Sequence, residues 1–292
     1  MSTSTYIKLI QLYKKYGYQV RTGLYPPHFF NFSGAAGTVL EKDDIKLLTG
    51  GGIGLDEVHF LDDLCEALSP QGVFVIGNTF GWSTFAFAFS QSSKVVALDA
   101  GIEGLDNMSG IKLTNYIAQQ EKLKVQCVYG RSPDDVKTTI LNNMIAPPTL
   151  VFIDGLHENT QLIKDFDSVL DTAPNATFLL HDIVNCNMQK AFNQISASVS
   201  QTHFTKILWR TFSGMGIVIP KERLANLETI IEAYTDDDGY IDTVRIRWRL
   251  LAMQERLGLF GKITNKLYQK MNRPLQLITN HLIGRKKLRR AP

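Results

Sequence analysis

Cysteine is scarce in this chain of 292 residues. Cys65, Cys127 and Cys186 are odd in number and far apart, which argues against a disulfide framework and against a cysteine-based zinc site. Charge is missing from residues 72 to 93, a stretch long enough by count for a membrane span, but Gly77, Asn78, Gly81 and the Ser/Thr content fit a buried strand and a turn better. A signal peptide is not evident, because Lys8, Lys14 and Lys15 interrupt any apolar run and no small-residue cleavage site follows; the expected compartment is cytoplasmic. The run Gly50-Gly51-Gly52-Ile53-Gly54 has no Lys-Ser or Lys-Thr after it, so a phosphate-binding P-loop is not indicated, and a plain loop or a lid hinge remains. Acid is absent from 258 to 292, where nine Lys/Arg residues leave 22 basic against 28 acidic residues, a net −6, in the rest of the chain. Internal repeats and low-complexity segments are lacking too.

What is present begins at residue 73. Val73-Phe74-Val75-Ile76 has the length and composition of a fully buried strand, and it breaks into a Gly-x-x-x-Gly-x-Ser-Thr loop, Gly77 to Thr84, followed by a Phe/Ala-rich run suited to a helix. A helix starting there offers free backbone N–H groups to an anion. The bland reading is an ordinary glycine-bearing turn. A second buried-strand pattern at 95–99 ends in Asp99, 22 residues after Gly77, near the spacing that places a carboxylate on a ribose diol. Further strands are expected at 125–129, 150–153 and 177–180, separated by helix-length stretches, which argues for a parallel sheet covered on both faces. Residues 206–211 and 215–220 are joined by only Phe212, Ser213 and Gly214 and are expected to pair as an antiparallel hairpin.

Five parallel strands and a terminal hairpin resemble the class I S-adenosylmethionine-dependent methyltransferases. The likeness covers roughly residues 55 to 220 and is closest to the small-molecule O-methyltransferase branch that shares its pattern with cephalosporin-hydroxylase-like and macrolide-sugar methyltransferases. It rests on Ile76-Gly77 with Gly81-x-Ser83-Thr84, on Leu98-Asp99, on Gly130-Arg131-Ser132, and on Phe152 to His157 with Leu180-His181-Asp182. The chain departs from the family at Val75, where Glu or Asp is usual. The resemblance implies an α/β, Rossmann-like, doubly wound and mostly parallel seven-stranded sheet with a terminal antiparallel hairpin and helical N- and C-terminal extensions. It also implies an S-adenosylmethionine cofactor. Gly77, Asn78, Gly81, Ser83 and Thr84 would face its methionine part, Asp99 its ribose, Arg131 and Ser132 its adenine, and Asp154 would lie beside the same crevice.

Asp154 ends the fourth expected strand, His157 follows in the first turn of the next expected helix, and His181-Asp182 ends the fifth strand, so all four fall on the carboxyl edge where open α/β sheets bind ligands. Two chemistries are open to them. His157 or His181 could take an acceptor's proton as a general base, or Asp154, His181 and Asp182 could hold a divalent ion such as magnesium that lowers the acceptor hydroxyl's pKa. The structural alternative is that the two aspartates cap the helices that follow. His28, His59, His203 and His281 have no such company and read as structural or surface residues.

The flanks divide the expected organisation into an N-terminal helical or lid segment (1–70), the cofactor-binding domain (71–220) and a C-terminal helical segment with a basic tail (221–292). Residues 55–68 should form a helix whose stripe of Val58, Leu61, Leu64, Cys65 and Leu68 packs on the core. Tyr25, His28, Phe29 and Phe30 are acceptor-pocket candidates by the resemblance alone. Lys262, Lys266 and Lys270 line one face of an expected helix beside Leu259, Ile263, Leu267 and Met271; this segment suits an anionic membrane surface, a second subunit, or, least of the three, nucleic acid. The expected activity is methylation of a hydroxyl on a small molecule or saccharide. A nucleotide-dependent Rossmann-fold oxidoreductase and a non-catalytic scaffold that kept the fold are the alternatives.

Overall fold

The computed structural model describes residues 3–22, 38–42, 45–46, 52–91, 93–102 and 108–257, with the side chains of 45–46 and 248–257 left aside. The expected acceptor-pocket residues 25–30, the first two glycines of the 50–54 run and the basic segment from 258 lie outside them. The chain divides into two compact units, Met1–Thr235 and Asp236–Pro292.

In the first unit the order is α1 (Thr5–Lys15), β1 (Gln19–Thr22), β2 (Thr38–Lys42), β3 (Ile45–Lys46), α2 (Leu55–Leu68), β4 (Gly72–Ile76), α3 (Trp82–Ser90), β5 (Lys94–Asp99) and α4 (Ser109–Gln120). There follow β6 (Val125–Tyr129), α5 (Val136–Asn143), β7 (Leu150–Ile153), α6 (Asn159–Leu170), β8 (Thr177–Leu180), α7 (Gln189–Val199), β9 (His203–Leu208), β10 (Met215–Pro220), a 3-10 turn at Lys221–Asn226 and α8 (Glu228–Tyr234). In the second unit the described part is α9 (Asp238–Leu257). No described helix is long and apolar enough to cross a membrane.

The main sheet runs β6-β5-β4-β7-β8-β10-β9. Its first five strands are parallel, and β10 is antiparallel to both β8 and β9. The expected Rossmann-like architecture is therefore present. β4, β7 and β8 are buried along their whole length, as near-continuous Val, Ile, Leu and Phe runs require when helices cover both faces. Alternate side chains sort to opposite sides. Val73, Val75, Ala97 and Phe152 pack against α1 to α4 and α8, while Phe74, Ile76, Val96 and Ile153 pack against α5, α6 and α7.

Two expectations change. The hairpin's first strand is 203–208 rather than 206–211, because the Thr211 hydroxyl donates to Leu208 O and accepts from Met215 N, turning Trp209 to Gly214 into a closed loop. The N-terminal region is not helical alone: β1, β2 and β3 make a small antiparallel sheet of their own. α2 does span 55–68, with Val58, Leu61, Leu64 and Cys65 buried and Leu68 half-buried. α1 and α2 share the core of the main sheet, which is why residues 5–68 belong to the same unit as the strands.

Candidate active site

Backbone hydrogen bonds at the carboxyl edge align the strand ends in one row. Gly77 N donates to Leu98 O, Asp154 N to Ile76 O, His181 N to Ile153 O and Gly130 N to Asp99 O. The residues just past β6, β4, β7 and β8, with Asp99 at the end of β5, thus share one carboxyl edge, where open α/β sheets bind ligands.

On one side of this row the chain coils through three left-handed residues, Gly77 (φ 88°), Thr79 (φ 49°) and Gly81 (φ 88°). Gly77 is obligatory for a second reason: a Cβ there would sit 1.9 Å from the backbone oxygen of Asp154. Asp99 fastens this loop. Its Oδ2 accepts from Asn78 N at 2.7 Å and Thr79 N at 2.8 Å, and its Oδ1 accepts from Gly101 N at 2.7 Å. The Asn78 side chain is also committed, donating to Thr79 O and Thr114 Oγ1 and accepting from Thr84 Oγ1. Thr84 is fully buried and acts behind the loop, so a ligand in the crevice would meet backbone there rather than that hydroxyl. Ser83 is buried in the first turn of α3, whose start carries no side-chain cap. The Ser132 hydroxyl donates to Asp165 Oδ1, while Arg131 is exposed and its N–H donates to Asp135. Val75, the departure from the family pattern, is fully buried in the core, so no acid reaches the crevice from that position.

On the other side four of the expected residues converge. One ligand atom each from Asp154, His157, His181 and Asp182 lies within 4.8 Å of the other three. His157 Nε2 is 3.2 Å from Asp154 Oδ1 and 3.3 Å from Asp182 Oδ2; His181 Nδ1 is 3.1 and 3.2 Å from the same two oxygens. The nitrogens and oxygens alternate. His157 lies in the loop before α6 rather than in its first turn, and its side chain is 38% exposed, whereas that of His181 is 3% exposed. The capping alternative fails, since the N-cap positions of α6 and α7 are Glu158 and Met188.

Sequence reasoning missed Glu57. It is fully buried, accepts from Gly54 N and Ser213 N at 2.8 Å each, and places Oε2 3.2 Å from His181 Nε2. A signal was present in the three-residue spacing from Gly54 and in an acid beside the apolar stripe of α2. Its partner, 124 positions away, was not.

The electrostatics follow from crowding three carboxylates around two imidazoles. Burial by itself would raise the Asp154 pKa, yet His181 and His157 hold it well below the carboxylate range. Burial opposes charge on His181, but Asp154, Asp182 and Glu57 outweigh it and push that imidazole's pKa well up. His157 is raised first by its hydrogen bond to Asp154. A separate groove of about 620 Å³, lined by Thr5, Lys8, Asp62, Cys65, Phe89 and Ser90, opens beside the C-terminal end of α2, and its Asp62 is already paired with Thr5 and Ser90.

No protein-family model matches this chain, and no curated protein does. Solved structures do resemble it. An O-methyltransferase from Bacillus cereus, crystallised with SAH, is 15% identical with a TM-score of 0.48 over 76% of this chain and 92% of its own. TomG from Streptomyces achromogenes, an O-methyltransferase of tomaymycin synthesis crystallised with SAM, is 13% identical with a TM-score of 0.48 over 75% and 91%. The SAH-bound methyltransferase PaMTH1 from Podospora anserina is 14% identical with a TM-score of 0.45 over 56% and 78%.

Proposed function

We propose that the chain is an S-adenosylmethionine-dependent O-methyltransferase acting on a hydroxyl of a small molecule or saccharide. One observation carries the reading: the left-handed glycine loop and the imidazole–carboxylate cluster touch, through Gly77 packed on the backbone of Asp154. A cofactor cradle and a proton-handling site are thereby one continuous surface.

The residues fit the cofactor. Gly77 and Gly81 let the loop coil tightly against Asp154, Thr114 and Phe85, and Asp99, with three of its lone pairs committed to Asn78 N, Thr79 N and Gly101 N, keeps one for a ribose hydroxyl. When bound, the cofactor supplies a sulfonium methyl that is already electrophilic. The protein's contribution is then alignment and management of one proton. The acceptor oxygen gains its bond to carbon as the carbon–sulfur bond breaks and the electron pair stays on sulfur. The hydroxyl proton leaves at the cluster. His157, the more exposed of the two imidazoles, would take it; alternatively a divalent ion held by Asp154, His181 and Asp182 would acidify the hydroxyl so that water takes it. The β8-β10-β9 arrangement favours this activity over nicotinamide-dependent oxidation, since the sheet ends in an antiparallel pair and not in a further parallel crossover.

Calorimetry with S-adenosylhomocysteine and with NADH tests the reading. One-to-one binding of the former, lost in Asp99→Ala, is the expected result; binding of NADH alone would sink it.

A further inference from the structure

We propose that Tyr13 of α1 is a positioning residue for the glycine loop, its hydroxyl latching a strained turn into the shape the cofactor needs. The proposal rests on the methyl-transfer reading for the identity of the ligand, and on the geometry of the loop for the latch. α1 lies outside residues 55 to 220, which carry the family likeness, so the likeness assigns it no part in the site.

The strain sits in the turn from Asn78 to Gly81, which is closed by Gly81 N donating to Asn78 O. Thr79, the second residue of that turn, has φ 49°. The left-handed region is unfavourable for a β-branched side chain, and a backbone held there persists only where its surroundings over-determine it. Three elements outside the loop do so. From β5, Asp99 accepts from Asn78 N and Thr79 N. From α4, Gly110 packs so closely on the Thr79 carbonyl that a Cβ would meet its oxygen at 1.7 Å. From α1, the Tyr13 hydroxyl donates to Phe80 O at 2.8 Å.

The third tie hangs on one oxygen atom, brought to the turn from 67 positions away. Tyr13 and Phe80 are both buried, so loss of the donor leaves a desolvated carbonyl that the turn can satisfy only by rotating the Phe80–Gly81 peptide. The N–H of that same peptide closes the turn on Asn78 O, and rotation breaks this bond as well. The donor is dependable: burial, with Tyr18 adding to it, pushes the Tyr13 phenol well above its ordinary range, so the oxygen keeps its proton. The ring is braced too, with its centroid 5.6 Å from that of Trp82 and 6.1 Å from that of Phe85, both in the start of α3. One aromatic side chain therefore seats the turn and the helix that follows it.

The test uses the full chain. Tyr13→Phe keeps the ring and removes only the oxygen, so the fold should be retained, with circular dichroism checking it. Hydrogen exchange of the unliganded chain, read by mass spectrometry, should be about 10-fold faster in peptides spanning residues 77–84 and unchanged across β7 and β8. S-adenosylhomocysteine should bind about 3- to 10-fold more weakly by calorimetry, as the share of chains with the turn latched falls. Thr79→Gly separates positioning from plain stability. Glycine takes φ 49° without strain, so the latch has less to hold, and in that background Tyr13→Phe should change the affinity by less than about 2-fold. Parental loop exchange in Tyr13→Phe, parental affinity in that variant, or an equal loss of affinity in both backgrounds would each overturn the proposal. A parent chain that takes up no S-adenosylhomocysteine, beside faster loop exchange in Tyr13→Phe, removes the methyl-transfer reading and leaves the latch; parental loop exchange beside tight binding removes the latch alone.

Discussion

Replacing Glu57 with alanine should weaken the whole first unit, although the residue sits at a functional site. Its carboxylate accepts from two buried backbone N–H groups, Gly54 at 2.8 Å and Ser213 at 2.8 Å, and faces His181 at 3.2 Å. A buried donor stripped of its acceptor costs about 1–3 kcal/mol, so two of them cost roughly 3 kcal/mol even if water enters the vacated space. For a unit of this size, Met1–Thr235, each kcal/mol moves Tm by about 2–4 °C, giving a drop of roughly 6–12 °C. Glu57→Gln keeps one carbonyl oxygen for the N–H groups and should lose about half as much. Differential scanning fluorimetry over a dilution series checks both variants. A fall of less than about 2 °C in Glu57→Ala would show that the α2–hairpin contact contributes little, and the role assigned to Glu57 would be refuted.

Gly77→Ala should cost on the order of 3 kcal/mol or more, because φ is 88° and the new Cβ meets Asp154 O at 1.9 Å; urea unfolding reads it, and parent-like stability contradicts the packing described. Asp99→Ala should weaken S-adenosylhomocysteine about 10- to 100-fold, since loop anchor and ribose acceptor go together, and calorimetry giving parental affinity would remove Asp99 from the site. Asp56→Asn addresses pH. Burial, with Glu57 adding to it, raises the Asp56 pKa to about 6, so the folded chain holds a proton that the unfolded chain has released. Stability from this group is therefore present below about pH 4 and lost as pH rises through about 6. Asn should then gain on the order of 1 kcal/mol at pH 7 and nothing at pH 4, a contrast that urea melts at the two pH values would show or deny.

The strands were legible where one physical cause dominated. β7 and β8 lie where the sequence put them because a strand covered on both faces must be apolar throughout. β9 was displaced because it is an edge strand: four of its six positions are only half-buried, His203-Phe204-Thr205-Lys206 gives no sharp pattern, and Trp209-Arg210-Thr211 imitates one. β1 to β3 escaped notice for a related reason, being two to five residues long, with β1 and β2 partly exposed. In the site, Gly77, Asp99, Asp154 and His181 were readable because the row of strand ends follows from the topology alone. The commitment of Thr84 to Asn78 depends on a side-chain rotation that no spacing encodes.

Glu57 shows why the two halves of the site differ in this respect. The glycine-loop half is mostly local: Gly77 to Thr84 is one loop, tied to Asp99 across one βα unit, to Thr114 through Asn78 and to Tyr13 through Phe80 O. The imidazole–carboxylate half is assembled from α2, the ends of β7 and β8 and the turn before β10, whose contacts join residues up to 156 positions apart. Local geometry can be written in glycines and read back from them. A cluster that needs α2 seated against the hairpin turn exists only once the sheet has closed. Its imidazole at 181 therefore reports on the packing of the whole unit, and a variant that loosens α2 far from the crevice should disturb the cluster before it disturbs the cradle.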